Sequence, residues 1–492
     1  MNAVAFVYAI TAGLAALYAS FEARFLWHFV RRRAQIRDAR ASEAPSGSVP
    51  IADALAPMLT IQIPLYNERT TANVAIRAAA AQDYPRDRLE VQVLDDSTDE
   101  TSAIVASTVA ELQAQGMRIE HVQRDHRSGF KAGALANGLT RSQAELVAIF
   151  DADFAPPPDF ARRLILEVRA FDDPEVAFVQ ARWGFVNSDE NLVTLAQTLL
   201  IDRHFCVQKP TWQHLGRVTM FNGSAGIWRR LAIDDSGGWS ADTLTEDLDL
   251  SYRAAMRGWR GRYVASVVSD SELPAHLLAF KLQQRRWAHG CAQAMKKLGG
   301  SVARASGIRG RADELFVIGG YVVHPILLLN TLLWPWAVLY ASPREVFLGA
   351  QVVVSLATLV GPVSFALSAR EVGRPISWSF ARDVAFATLL GMGLMVNNTI
   401  AHVTGYFSHE HTFDRTPKQS REPDVANYRL TLDWTLGAEF ALLGYCVASA
   451  TWLVRAGEII WAPPCLVWAL ALSAMIGLQL APVARHSVNR TS

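Results

Sequence analysis

The sequence predicts an α/β domain with mostly parallel strands, held between helical membrane segments. Two observations predict it. Strand-like and helix-like periodicities alternate through residues 58–272, and uncharged apolar runs are confined to the start of the chain and its final third. Composition agrees: of 492 residues 51% are apolar and only 19% charged, which excludes disordered and fibrous classes and favours a membrane protein. With 47 Lys and Arg against 46 Asp and Glu, the formal net charge of +1 argues against nucleic-acid binding through bulk positive charge. The four cysteines, Cys206, Cys291, Cys446 and Cys465, lie far apart without CxxC spacing, so they read as small apolar residues.

In chain order, residues 2–21 form an uncharged run of about 20 residues, long enough to span a hydrocarbon core, followed by Arg24 and by Arg31, Arg32 and Arg33. A signal peptide would carry basic residues before the apolar stretch, and none stand there. Residues 1–30 therefore read as an anchor and 31–57 as a linker, with the arginines, and the domain after them, on the cytoplasmic side of an inner or plasma membrane. In the domain, strands are expected at 59–63, 91–94, 119–122, 146–150 and 176–179, and helices at 69–81, 101–115, 131–139 and 160–171. Residues 273–312 read as a basic interfacial region, 313–369 and 433–483 as two membrane hairpins, and 484–492 as a cytoplasmic tail. Between the hairpins, in 370–432, the apolar run 384–396 is short for a span and reads as an interfacial or re-entrant helix, which gives five spans rather than six.

Ligands bind such sheets at the carboxyl ends of the strands. No GxGxxG follows the first strand, so a dinucleotide fold is disfavoured. Instead Asp95 and Asp96 follow the second strand, and Asp151-Ala152-Asp153 the fourth. Carboxylates at i and i+2 on extended chain point the same way and suit Mg²⁺ or Mn²⁺ shared with substrate phosphates, although such a pair alone is more often a solvated turn. Further on, Thr245-Glu246-Asp247 opens a helical pattern, either as a cap with dipole-favoured acids or as the source of a general base. Gln283, Arg286 and Trp287 lie in a basic stretch that suits both anionic lipid and a leaving diphosphate beside a sugar. The group His402, His409, Glu410 and His411 lacks metal-ligand spacing and reads as a polar loop.

Asp95-Asp96, Asp151-Ala152-Asp153, Thr245-Glu246-Asp247 and Gln283…Arg286-Trp287, in that order and followed by membrane helices, resemble the inverting family-2 glycosyltransferases. Strings such as Val93-Leu94-Asp95-Asp96-Ser97-Thr98-Asp99, Lys131-Ala132-Gly133-Ala134-Leu135 and Val179-Gln180-Ala181-Arg182-Trp183 are similar to the cellulose-synthase-like A group, the β-mannan and glucomannan synthases. The resemblance covers residues 58–300 and implies a GT-A-type, Rossmann-like catalytic domain that transfers a hexose from GDP-mannose or UDP-glucose to a glycan or lipid acceptor. It implies that Asp95, Asp96, Lys131, Asp151, Gln283 and Arg286 bind the donor, and that Asp151 and Asp153 hold Mg²⁺ or Mn²⁺. Asp247 would be the base, with Asn222, Glu246 and Trp287 at the acceptor and residues 413–418 as a gating loop. The chain departs from the plant group at Ser224 and Cys291, and lacks the Val-Thr pair of related gating loops. The expected activity is processive polymerisation of a β-linked hexose; single transfer to a lipid and a non-catalytic scaffold are the alternatives.

Overall fold

The computed structural model describes residues 1–42, 52–305, 310–408 and 434–489. Seven strands form one sheet: β1 (Leu59–Leu65), β2 (Leu89–Asp95), β3 (Ile119–Gln123), β4 (Leu146–Ile149), β5 (Val176–Phe185), β6 (Gly226–Arg229) and β7 (Arg260–Ser271). Their order is β3-β2-β1-β4-β6-β5-β7. β1 runs parallel to β2 and β4, β2 to β3, and β5 to β7, whereas β6 is antiparallel to both neighbours. The apolar-polar alternation of β1 does not mark a wet face. Gln62 is fully buried and donates to Gln92 on β2 at 3.0 Å, so the polar side chains pair beneath a covering helix. Helices Ala72–Ala80 (α2) and Thr101–Ala114 (α3) cover one face, and Phe130–Leu139 (α4) the other.

Two differences inside the domain have local causes. The stretch expected to be a helix over 160–171 is one α turn, Phe160–Arg162, that widens into a π-helical turn, Arg163–Glu167, and stops before Arg169 at a positive φ of 51°. Leu164, Ile165 and Leu166 are consecutive and all buried, which a stripe of ordinary helical period cannot achieve. β5 continues past residue 179 to Phe185 because β7, unread in the sequence, pairs along it.

The first helix, α1 (Ala3–Ser42), runs 40 residues, so the first part of the expected linker is helical. Arg33, Arg37 and Arg40 share one helix face and reach the buried carboxylate of Glu371 at 2.6, 3.4 and 3.1 Å, and this ion-pair row extends the helix past the apolar run. Residues 43–51 lie outside the described residues, as do the gating-type loop 413–418 and His409, Glu410 and His411.

Among the described residues, five helical segments are long and apolar enough to cross a membrane: Ala3–Ala41, Gly320–Tyr340, Arg344–Glu371, Thr435–Arg455 and Ile459–Ala481. The third is two consecutive helices, Arg344–Ala357 and Val360–Glu371. Residues 315–318 belong to a separate helix, Arg311–Ile318, not to the next apolar segment; Glu314 anchors it to the α/β domain by accepting from Val218 N and Tyr252 Oη at 3.0 and 2.9 Å. The run 384–396 sits in a pair, Trp378–Gly393 and Met395–Phe407, bent by 43°, which would make a sixth crossing if it spans as one unit.

Candidate functional site

A cleft opens at the carboxyl ends of β1, β2 and β4, roofed by two helices, α5 (Glu246–Met256) and α6 (Leu277–Arg304). Asp96, Lys131, Asp151, Asp153, Asn222, Glu246, Asp247, Gln283, Arg286 and Trp287 all line it. Residues from six separate parts of the chain thus meet at one place. Asp95 is the exception: it is buried behind the wall, accepting from Ser102 Oγ at 2.7 Å and Ser97 N at 2.9 Å, with His121 Nε2 at 2.8 Å. Burial raises its pKa, but these hydrogen bonds overcome it and bring the group down to about 2. Strand alternation explains the difference, since Asp95 ends β2 pointing toward β3 while Asp96 turns to the cleft. Asp96 is itself gripped by Arg124 at 2.9 and 2.5 Å.

Backbone geometry gathers the rest. Gln180 of β5 accepts from Asn222 N at 2.8 Å and donates to the carbonyls of Ser224 and Ala225 at 3.0 Å, clamping the loop before β6. Ser224 Oγ accepts from Asp151 N at 2.9 Å, tying that loop to the Asp151 turn. Gly223 has φ of 79°, and a Cβ there would stand 3.2 Å from Asp247 Oδ2 and 3.4 Å from Lys131 Nζ; the close approach requires glycine. Lys131 bonds Gly223 O at 2.8 Å and Asp151 at 2.5 Å, with Glu246 at 3.6 Å. Burial works against its charge, but Asp151 and Glu246 outweigh it and hold the ammonium above its usual range.

Asp247 lies in the first turn of α5, where burial, then the neighbouring Glu246, push its carboxyl up to about 7 against the pull of Lys131. Thr245 makes no cap hydrogen bond, so capping does not account for this segment. α6 crosses α5 closely: a Cβ on Gly290 would meet Thr245 Cγ2 at 2.5 Å. The buried Oε1 of Gln283 has no hydrogen-bond partner among the described residues, and Gln283 lines the cleft.

The donor set suits a hard divalent cation. Asp151 and Asp153 offer carboxylate oxygens from one turn to an open cleft, yet among the described residues no group of three or more His, Cys, Asp or Glu could hold an ion unaided. Two protein carboxylates leave coordination positions for phosphate oxygens, the usual arrangement for Mg²⁺ with nucleotides.

Sequence reasoning missed several cleft neighbours. Arg127 stacks over the Tyr66 ring at 3.4 Å, and both line the cleft beside Asp96. A second cavity shares Trp183, Asn222, Asp247 and Trp287 with the first and continues past His204 to Tyr18 of α1 and to Tyr321. His204 bonds Asn222, and burial, then Lys209, drive its pKa down to about 3, so it is neutral. Lys209 is fully buried, donates to Met220 O, and is lowered to about 7 by burial despite Asp247. None carries a signal in a single sequence, since each depends on chain folded back from elsewhere. Trp183 lay within a string already singled out, and Tyr66 directly follows the first strand.

An acidic cleft at the strand ends of a mixed seven-stranded α/β sheet is the GT-A-type arrangement. Residues 56–290 match the family model described as Glycosyltransferase like family 2. The chain is similar to Glucomannan 4-beta-mannosyltransferase 2 of Arabidopsis thaliana, 41% identical over 284 residues, covering 57% of this chain and 52% of the relative. Glucomannan 4-beta-mannosyltransferase 1 of Oryza sativa subsp. japonica is 40% identical over 273 residues, covering 55% and 52%. The chain thus spans about half the length of the relatives it matches. A solved mannosyltransferase from Pyrobaculum calidifontis, in complex with GDP-Man and Mn²⁺, superposes at a TM-score of 0.46 with 19% identity, over 78% of this chain and 99% of that one.

Proposed function

We propose that this chain is a membrane-bound, inverting glycosyltransferase that builds a β-linked mannan or glucomannan from GDP-mannose. The observation carrying the reading is the convergence of Asp151, Asp153, Asp247, Arg286 and Trp287 on one cleft, within a segment similar to mannosyltransferases. Tyr66 and Arg127 form the nucleoside side of the cleft beside Asp96. Lys131 and Arg286 face the diphosphate and neutralise the charge that grows on it as the glycosidic bond breaks. A cation held by Asp151 and Asp153 with donor phosphate oxygens would add Lewis-acid stabilisation to that leaving group.

On the other side, Asp247 takes the proton of the attacking acceptor hydroxyl, and a carboxyl near 7 is well matched to that task. Trp287 and Trp183 offer aromatic faces to the acceptor sugar, with Asn222 and Glu246 beside them. One displacement from the face opposite the nucleotide inverts the anomeric carbon and needs no covalent intermediate. The apolar helices would hold the catalytic domain on the cytoplasmic side, with the amino terminus outside.

The test supplies protein in lipid nanodiscs with Mn²⁺ or Mg²⁺ and labelled GDP-mannose or UDP-glucose, then separates products by size and lipid solubility. Large mannanase-sensitive material is expected. Large glucanase-sensitive material alone would keep the mechanism and change the sugar, and label confined to a small chloroform-soluble product would replace the polymer reading by lipid glycosylation.

A further inference from the structure

The face of α6 turned away from the cleft carries a polar cluster buried among the apolar helices. Lys281 Nζ lies 2.6 Å from Glu439 Oε1, with neither side chain exposed to solvent at all. The same ammonium also donates to Thr435 Oγ1 at 3.2 Å and Gln479 Oε1 at 3.0 Å. Gln479 Nε2 donates in turn to Glu439 Oε2 at 2.7 Å and closes the ring. One turn on, Arg285 donates to Asn397 Oδ1 at 3.2 and 2.9 Å, and Asn397 Nδ2 returns a bond to the carbonyl of Lys281 at 3.1 Å. α6 is thereby tied to Met395–Phe407, Thr435–Arg455 and Pro463–Asn489.

Helical period places this cluster opposite the site. At about 100° per residue, Arg285 lies within about 40° of Lys281, while Gln283, Arg286 and Trp287 are turned by roughly 140–240° from it. Apolar packing alone permits a helix to slip or rotate at little cost, whereas a buried charge pair has one favourable geometry and penalises every other. We propose that the Lys281–Glu439 pair positions the transfer site: it fixes the rotation and axial register of α6 against two apolar helices, and through them the placement of Gln283, Arg286 and Trp287. This rests on the transferase reading of the cleft.

The test uses the full chain in nanodiscs with three variants: Glu439→Gln, the apolar pair Lys281→Met with Glu439→Leu, and the exchanged pair Lys281→Glu with Glu439→Lys. The apolar pair removes both charges of the Lys281–Glu439 contact together, and its thermal midpoint is read beside its activity. Its kcat should fall by about 10- to 100-fold, the loss that a displaced catalytic group brings, and the KM for GDP-mannose should rise with it, since Gln283 and Arg286 lie on the donor side. The exchanged pair should recover most of that kcat. Amide exchange over residues 279–290, read on the same samples, should quicken in Glu439→Gln and in the apolar pair but not in the exchanged pair. Wild-type kcat in the apolar pair, or a lowered thermal midpoint with unchanged kcat and unchanged exchange over 279–290, would overturn the inference. Should the wild type transfer no sugar, the donor reading fails by itself, and the exchange pattern still decides the positioning role.

Discussion

Asp247 shows how a single carboxyl can be tuned at the expense of stability. Its ordinary pKa is 3.8 and its folded value is about 7, with burial the leading cause. The group therefore favours folding most below the ordinary carboxyl value, and that contribution fades as pH rises through the folded value. Asp247→Asn should raise the thermal midpoint at pH 8, by on the order of 1–3 kcal/mol of stability, while abolishing transfer and leaving donor binding largely intact; calorimetry and a nucleotide-sugar binding assay check both parts. Because only the ionised carboxylate accepts a proton, kcat/KM should fall about tenfold per pH unit below about 7, and a flat profile down to pH 5 would remove Asp247 from the role of base. Gly223→Ala combines a positive φ with a Cβ 3.2 Å from Asp247. It should cost about 1–2 kcal/mol of stability and most of the activity, read as melting and initial rate. These residues differ in how openly the sequence displays them: Asp151, Asp153 and Asp247 stand out through the order of motifs that carries the family resemblance, while Lys209 and His204 are ordinary polar residues until the fold buries them against Asn222 and Met220.

At the scale of elements, periodicity identified β1 to β4 and the helices between them because each is a local pattern supported by burial. β6 has only four residues, and β7 derives its length from pairing with β5, so neither pattern is local. The first helix runs past the expected anchor, residues 1–30, for a related reason. Apolarity ends there, yet helicity does not, because Glu371 is waiting more than 300 positions away in sequence. Glu371→Ala should lower the thermal midpoint by about 1–3 kcal/mol of stability, since it removes three charge-assisted contacts from arginines that are still partly solvated. Turnover per folded molecule should stay unchanged, as none of these groups lines the cleft. A loss of turnover at full stability would show that this row influences the site.

For the whole molecule, a cation held only by Asp151 and Asp153, as proposed, would depend on the substrate to complete its coordination. EDTA should abolish transfer and Mn²⁺ or Mg²⁺ restore it, while the melting temperature without donor changes little; a large shift on chelation would mean a resident structural ion. The cleft and the cavity beyond it share Trp183, Ile201, Asn222, Thr245, Asp247 and Trp287 as a common wall. A wall shared by two chambers imposes reciprocity. Any free energy by which a donor in the cleft changes the affinity of an occupant of the second chamber must equal, in size and sign, the change that this occupant makes in the affinity for the donor. Measuring either occupant alone will therefore report a constant that drifts with the other's concentration, and the two binding curves will become simple only when they are recorded as a pair.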